Sequence, residues 1–148
     1  MLHLKKYFLF FSLLLGLVSV TNLSNSKKLQ EIDIFTNGNV INFIVEIADT
    51  ERKRENGLMF RDSLPRKTGM LFIFPEKKKI GIWMKNTIIP LDIIFISEEK
   101  IIQKIIYSAV PMDNTIYSSE DLSKYVLEIN AGLSKEFQIK KGNKVSFE

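Results

Sequence analysis

Ile88-Ile89-Pro90-Leu91-Asp92-Ile93-Ile94-Phe95-Ile96 is the stretch on which the fold turns. Residues 91–96 are β-branched or aromatic apart from Leu91 and Asp92, and the run reads as a strand. On the C-terminal side, Glu98-Glu99 turns the chain into a second strand, Lys100 to Tyr107. On the N-terminal side stand two more candidate strands. Ile80 to Met84 is one, and Gly69 to Phe74, an apolar run bounded by Gly69 and Pro75, is the other.

The same reading extends to both ends. Gln30 to Phe35 alternates, with Ile32 and Ile34 on one face. Asn37-Gly38 then signals a hairpin, because both residue types tolerate positive φ. Val40 to Ala48 alternates again through Ile41, Phe43, Val45 and Ile47. Asp49 or Thr50 is placed to cap a short helix, Glu51 to Asn56, with Gly57 as its stop. Asp62-Ser63-Leu64-Pro65 is a turn, and Ser108 to Lys124 reads as a long loop. Tyr125 to Ile129 is a strand, Leu133 to Phe137 a helical turn, and Lys144 to Phe147 a last strand. About eight short strands with one or two short helices define a mainly β domain, small and barrel-like or sandwich-like. Long helices do not alternate with the strands, so a doubly wound α/β fold is not expected.

The N-terminus has the pattern of an export signal. Lys5 and Lys6 precede an uncharged apolar run, Tyr7 to Val20. Its 14 residues fall short of the ~20 that span a bilayer. Residues 1–20 are therefore expected to be a signal peptide or an N-terminal anchor, 21–28 a spacer, and 29–148 a single globular domain, periplasmic or extracellular. Any membrane contact is expected only through an uncleaved N-terminal segment. Removing residues 1–20 takes away Lys5 and Lys6 and lowers the formal net charge from +4 to +2.

That removal also discards His3, the sole histidine, and the chain has no cysteine. Ser-His-Asp and Cys-His nucleophile systems are excluded from the exported domain. A typical zinc site is excluded too, since zinc favours thiolate and imidazole ligands. No metal and no cofactor are expected. Basic and acidic residues are interspersed, so nucleic acid is not an expected partner. Lys77-Lys78-Lys79 reads as a solvated loop.

Four stretches carry a resemblance. They are Gly57-Leu58-Met59-Phe60-Arg61 with Ser63-Leu64-Pro65; Gly69-Met70-Leu71-Phe72-Ile73-Phe74; Trp83-Met84-Lys85-Asn86-Thr87 with Ile89 to Ile96; and Tyr125 to Gly132. In this order and spacing the chain resembles the domain-of-unknown-function family 192 over roughly residues 40–147. The resemblance implies a small, mainly β protein, exported in many members, with no established activity. Two departures stand out. Cysteines that many members carry are absent from Ser108 to Ser118, and Asn143 stands where the family's closing turn has an Asp.

The polar residues embedded in apolar runs are the candidate site. A carboxylate at Asp92 shares a strand face with Ile94 and Ile96, and Glu128 is similarly set among Val126, Leu127 and Ile129. Burying either unpaired costs several kcal/mol, so each calls for a partner or a raised pKa. Three readings remain open. In a structural one, Arg61 holds a carboxylate bidentately while Asn86 and Asn130 satisfy turn backbone. In a binding one, Arg61, Trp83, Met84, Lys85, Asn86, Asp92 and Glu128 surround a pocket for a small polar ligand or a sugar. In the third, Asp92 and Glu128 serve as acid and base of a glycoside-type hydrolase.

Overall fold

The structure is a computed structural model that describes residues 27–148. The expected signal or anchor segment lies outside the described residues. Nine strands and two short helices follow in order: β1 (Leu29–Phe35), β2 (Val40–Ala48), α1 (Glu51–Asn56), β3 (Thr68–Lys78), β4 (Gly81–Ile82), β5 (Leu91–Ile96), β6 (Ile102–Ala109), β7 (Tyr117–Ser118), β8 (Ser123–Asn130), α2 (Leu133–Glu136) and β9 (Lys144–Ser146). Seven of the strands form one sheet in the order β6-β5-β8-β3-β2-β1-β9, and β4 pairs with β7 in a small second sheet.

Local chemistry sets the early elements. Gly38, at φ +88°, closes the β1–β2 hairpin. Thr50 caps α1 by accepting from the Lys53 backbone N–H at 3.3 Å. The helix then crosses over so that β3 runs parallel to β2, with Ile44 opposite Thr68 and Ala48 opposite Phe72. The sheet curls until its edges meet at one end. There Ile102 N–H donates to the Asn143 carbonyl at 2.9 Å, and Val145 N–H donates to the Lys100 carbonyl at 2.8 Å.

Curling divides the apolar residues into two cores. One draws on all seven strands of the large sheet, with Ile34, Phe43, Leu71, Ile94, Leu127 and Val145 among its members, and so fills the concave interior. The other lies on the opposite face of β3, β5 and β8. Phe72, Ile93, Phe95 and Val126 meet Leu58, Ile80, Met84 and Ile89 from the connecting segments. Strand β5 is therefore buried on both faces at all six positions, which accounts for its unbroken apolar sequence.

Three expectations need correcting. Strand β3 runs through Pro75 to Lys78, so Lys77 and Lys78 are exposed strand residues rather than loop. Pro75 is exposed and the β3–β8 register shifts between Ile73 and Lys78, an irregularity that frees the proline from the ladder. The segment 80–84 is strand only at Gly81–Ile82, because its partner β7 is just as short. That partner lies inside the stretch 108–124, which also carries the end of β6 and the start of β8.

Candidate functional site

Strand parity decides which side chains can meet. On β8, Leu127 and Ile129 point into the concave core, so Glu128 points to the other face. Register sets Glu128 opposite Met70 on β3 and opposite Ile93 on β5. It thus lies on the face of Phe72 and Phe74, two and four residues beyond Met70.

A cleft of about 340 Å³ opens above it. Glu128 forms the floor, and Leu58, Phe72, Phe74, Ile82 and Trp83 supply apolar walls with Thr87 beside them. Arg54 and Lys78 stand at the mouth with Glu51 and Glu55. Glu128 is only 4% exposed, and its carboxyl has no hydrogen-bond partner among the described residues. Burial alone pushes it up to about 8, so it is protonated at neutral pH and presents an O–H donor to the cleft.

The walls carry cations on their aromatic faces. The Arg54 guanidinium carbon and the Lys78 ammonium each lie 5.1 Å from the Phe74 ring centroid. The Lys85 ammonium lies 5.1 Å from the centroid of Trp83, which is 46% exposed. Beside Trp83 the backbone is strained. Phe60 and Asn86 adopt left-handed φ of 61° and 55°, and the Phe60 N–H donates to the Asn86 carbonyl at 2.9 Å. They are two of seven non-glycine residues with positive φ among those described, and the others lie elsewhere in the fold.

The other predicted site residues are dispersed. Asp92 is fully buried on the concave face, opposite Ile129 in register. Its oxygens accept backbone N–H groups of Ser108 at 2.9 Å, Gly132 at 3.1 and 3.2 Å, and Ser134 at 2.9 Å. It caps α2 from a distance and has no route to the cleft. Arg61 grips Glu46 bidentately at 2.5 and 2.7 Å, and that hydrogen-bonded pairing holds the Glu46 carboxyl below its usual range against its partial burial. Met84 is a core residue, and Asn86 serves the loop through its backbone. Of the seven predicted residues, Trp83 and Glu128 line the cleft, and Lys85 joins them by way of the Trp83 ring.

Of the two asparagines expected to satisfy turn backbone, Asn130 does so through its side chain, and Asn86 takes part only through its backbone carbonyl. Asn130 Nδ2 donates to the Leu64 carbonyl at 2.8 Å. Asn143 Oδ1 accepts from the Lys140 N–H at 2.8 Å, a bond that an Asp oxygen would make equally well, so the substitution keeps the turn. Sequence reading missed Phe72, Phe74, Arg54 and Lys78 as cleft residues. The period of two from Met70 through Phe72 to Phe74 carried the signal for the rings. The cations gave none, since their roles depend on how α1 packs against β3. Among the described residues, no group of three or more His, Cys, Asp or Glu is placed to hold a metal ion.

Fold and site together define a small β protein: a curled seven-stranded sheet with one unpartnered acid beneath an aromatic cleft on its outer face. The chain belongs to the DUF192 family, described as "Uncharacterized ACR", whose profile matches residues 32–147. Two solved structures are similar to it. A candidate transcription regulator from Sinorhizobium meliloti is 35% identical with a TM-score of 0.81, over 82% of this chain and 95% of that one. A protein of unknown function from Novosphingobium aromaticivorans is 34% identical with a TM-score of 0.80, over 84% and 89%. No curated protein matches the chain.

Proposed function

We propose that this DUF192 member binds a small organic ligand in the cleft above Glu128. One observation carries the reading: a carboxyl 4% exposed, with no protein partner, floors a cleft of about 340 Å³ with aromatic walls. Buried polar groups are ordinarily satisfied, and one left open toward a cavity is a group kept for something that enters it. Phe72 and Trp83 offer ring faces, and Glu128 and Thr87 offer polar anchors that orient the guest. Export by the segment 1–20 belongs to the same proposal, with the ligand met in the periplasm or outside the cell.

A glycoside-type hydrolase would need Asp92 and Glu128 in one cleft. They face opposite sides of the sheet, and the Asp92 oxygens are taken up by three backbone N–H groups. No observation favours that second reading.

Ligand-induced thermal shift across a panel of sugars, organic acids and amines tests binding. A shift that Trp83→Ala abolishes is the expected result, and the side chain is exposed enough for the variant to fold. No shift from any compound would overturn the proposal. Export is tested by sequencing the N-terminus of the released protein, which should begin near Thr21.

A further inference from the structure

We infer that the cleft selects an anionic amphiphile: an aryl or alkyl body seated among Phe72, Phe74 and Trp83, with a carboxylate, sulfonate or phosphate ester at the mouth beside Arg54 and Lys78. This rests on the reading of the cleft as a ligand site and names the class of guest.

Charge placement carries the argument. Arg54 is half-buried and rigidly held, because its Nη1 donates to the Asp49 carbonyl at 2.8 Å and the Ile73 carbonyl at 2.9 Å. Neither Arg54 nor Lys78 forms an ion pair with a carboxylate among the described residues. Both stand over the Phe74 ring, and Lys85 stands over Trp83. A guest cation over Phe74 or Trp83 would have to displace one of these three from its ring, and anywhere in the cleft it would meet the repulsion of Arg54 and Lys78. Glu51 and Glu55, the carboxylates at the mouth, are exposed, so water screens their charge. Glu128 is the only other ionisable group lining the cleft. Protonated, it adds no negative charge and offers a donor to an acceptor at the deep end of the guest. Ionised, it withdraws that donor and repels an anion.

The single tryptophan of the chain lines the cleft, so its fluorescence reports occupancy. Three probes share one apolar body: 4-phenylbutyrate, 4-phenylbutanol and 4-phenylbutylamine. Titrated at pH 6, the butyrate should bind at least tenfold more tightly than the amine, and Lys78→Glu should remove most of that preference. Between pH 6 and pH 9 the affinity for the butyrate should fall about tenfold as Glu128 ionises, and Glu128→Gln should flatten this dependence. Equal binding of all three probes, or tightest binding of the amine, overturns the selectivity and leaves the cleft a ligand site. If none of the three perturbs Trp83 and the broader panel also gives no shift, both readings fall. Binding of sugars alone would retain the cleft and overturn the anionic class.

Discussion

Asp92 and Glu128 sit on adjacent strands one register step apart, and their side chains leave opposite faces of the sheet. Asp92 is opposite Ile129 and Ile93 is opposite Glu128. The two acids accordingly follow different rules. One is a carboxyl cap whose oxygens accept three backbone N–H groups, and the other is a lone acid in an apolar wall. Their separate environments give separate predictions.

For Glu128 the prediction concerns pH. Its folded-state value is raised from 4.5 to about 8, so between these limits the folded protein keeps a proton that the unfolded chain has released. The contribution is fully present below about pH 4.5 and is lost as pH rises toward 8, at up to about 1.4 kcal/mol per pH unit. Denaturant unfolding at pH 5, 6, 7 and 8 should show declining stability, and Glu128→Gln should flatten the decline. An equal slope in the variant would assign the effect to other groups.

For Asp92 the prediction is structural. Asp92→Ala strips the acceptor from the Ser108, Gly132 and Ser134 N–H groups at once. The expected loss is about 3–5 kcal/mol, read from chemical denaturation, with Asp92→Asn intermediate because one oxygen remains. Loss of α2 and of the β6 end from amide-exchange protection should accompany it. A change under about 1 kcal/mol would mean that water replaces the carboxylate without strain.

Among the described residues, Arg61 and Glu46 form the one bidentate ion pair with both side chains mostly shielded, at 25% and 17% exposure. A double-mutant cycle with Arg61→Met and Glu46→Gln should give a coupling of about 1–2 kcal/mol. Glu46 titrates below its ordinary value, so this contribution is present above pH 4.5 and lost as pH falls through the lowered value. The sign is opposite to that of Glu128. A coupling indistinguishable from zero at pH 7 would reduce the pair to a surface contact.

Gly69 is required by contact rather than by conformation. A Cβ there would lie 2.4 Å from the Glu128 carbonyl oxygen and 3.0 Å from Ile129 Cγ2. Gly69→Ala must push β3 away from β8 at the strand pair that presents Glu128. We expect destabilisation of about 2–4 kcal/mol, measurable by thermal or chemical unfolding, together with weaker occupancy of the cleft. Alanine tolerated without loss would show that the two strands part easily.

Much of the fold was legible locally. Alternation marked β1 and β2, Thr50 and Gly57 bounded α1, and β5 was visible in its β-branched and aromatic residues. Strand β7 was not legible, because two residues carry no period, and β3 was cut short at Pro75 because a proline on an irregular edge reads as a stop. The site was half legible. An acid inside an apolar strand is visible in any sequence, and both Asp92 and Glu128 were found that way. Their division of labour was not visible.

The sequence by itself determined that this protein is a mainly β domain of the DUF192 family, without histidine or cysteine in residues 21–148, in which two acids must be buried. Periodicity, capping and composition are properties of neighbouring residues, and they survive without coordinates. Only the tertiary structure decided that Asp92 meets three N–H groups from 16 to 42 residues away, that Arg61 takes Glu46, and that Glu128 is left facing Phe72, Phe74 and Trp83. Those outcomes depend on which strands lie side by side and in what register, and long-range packing sets that.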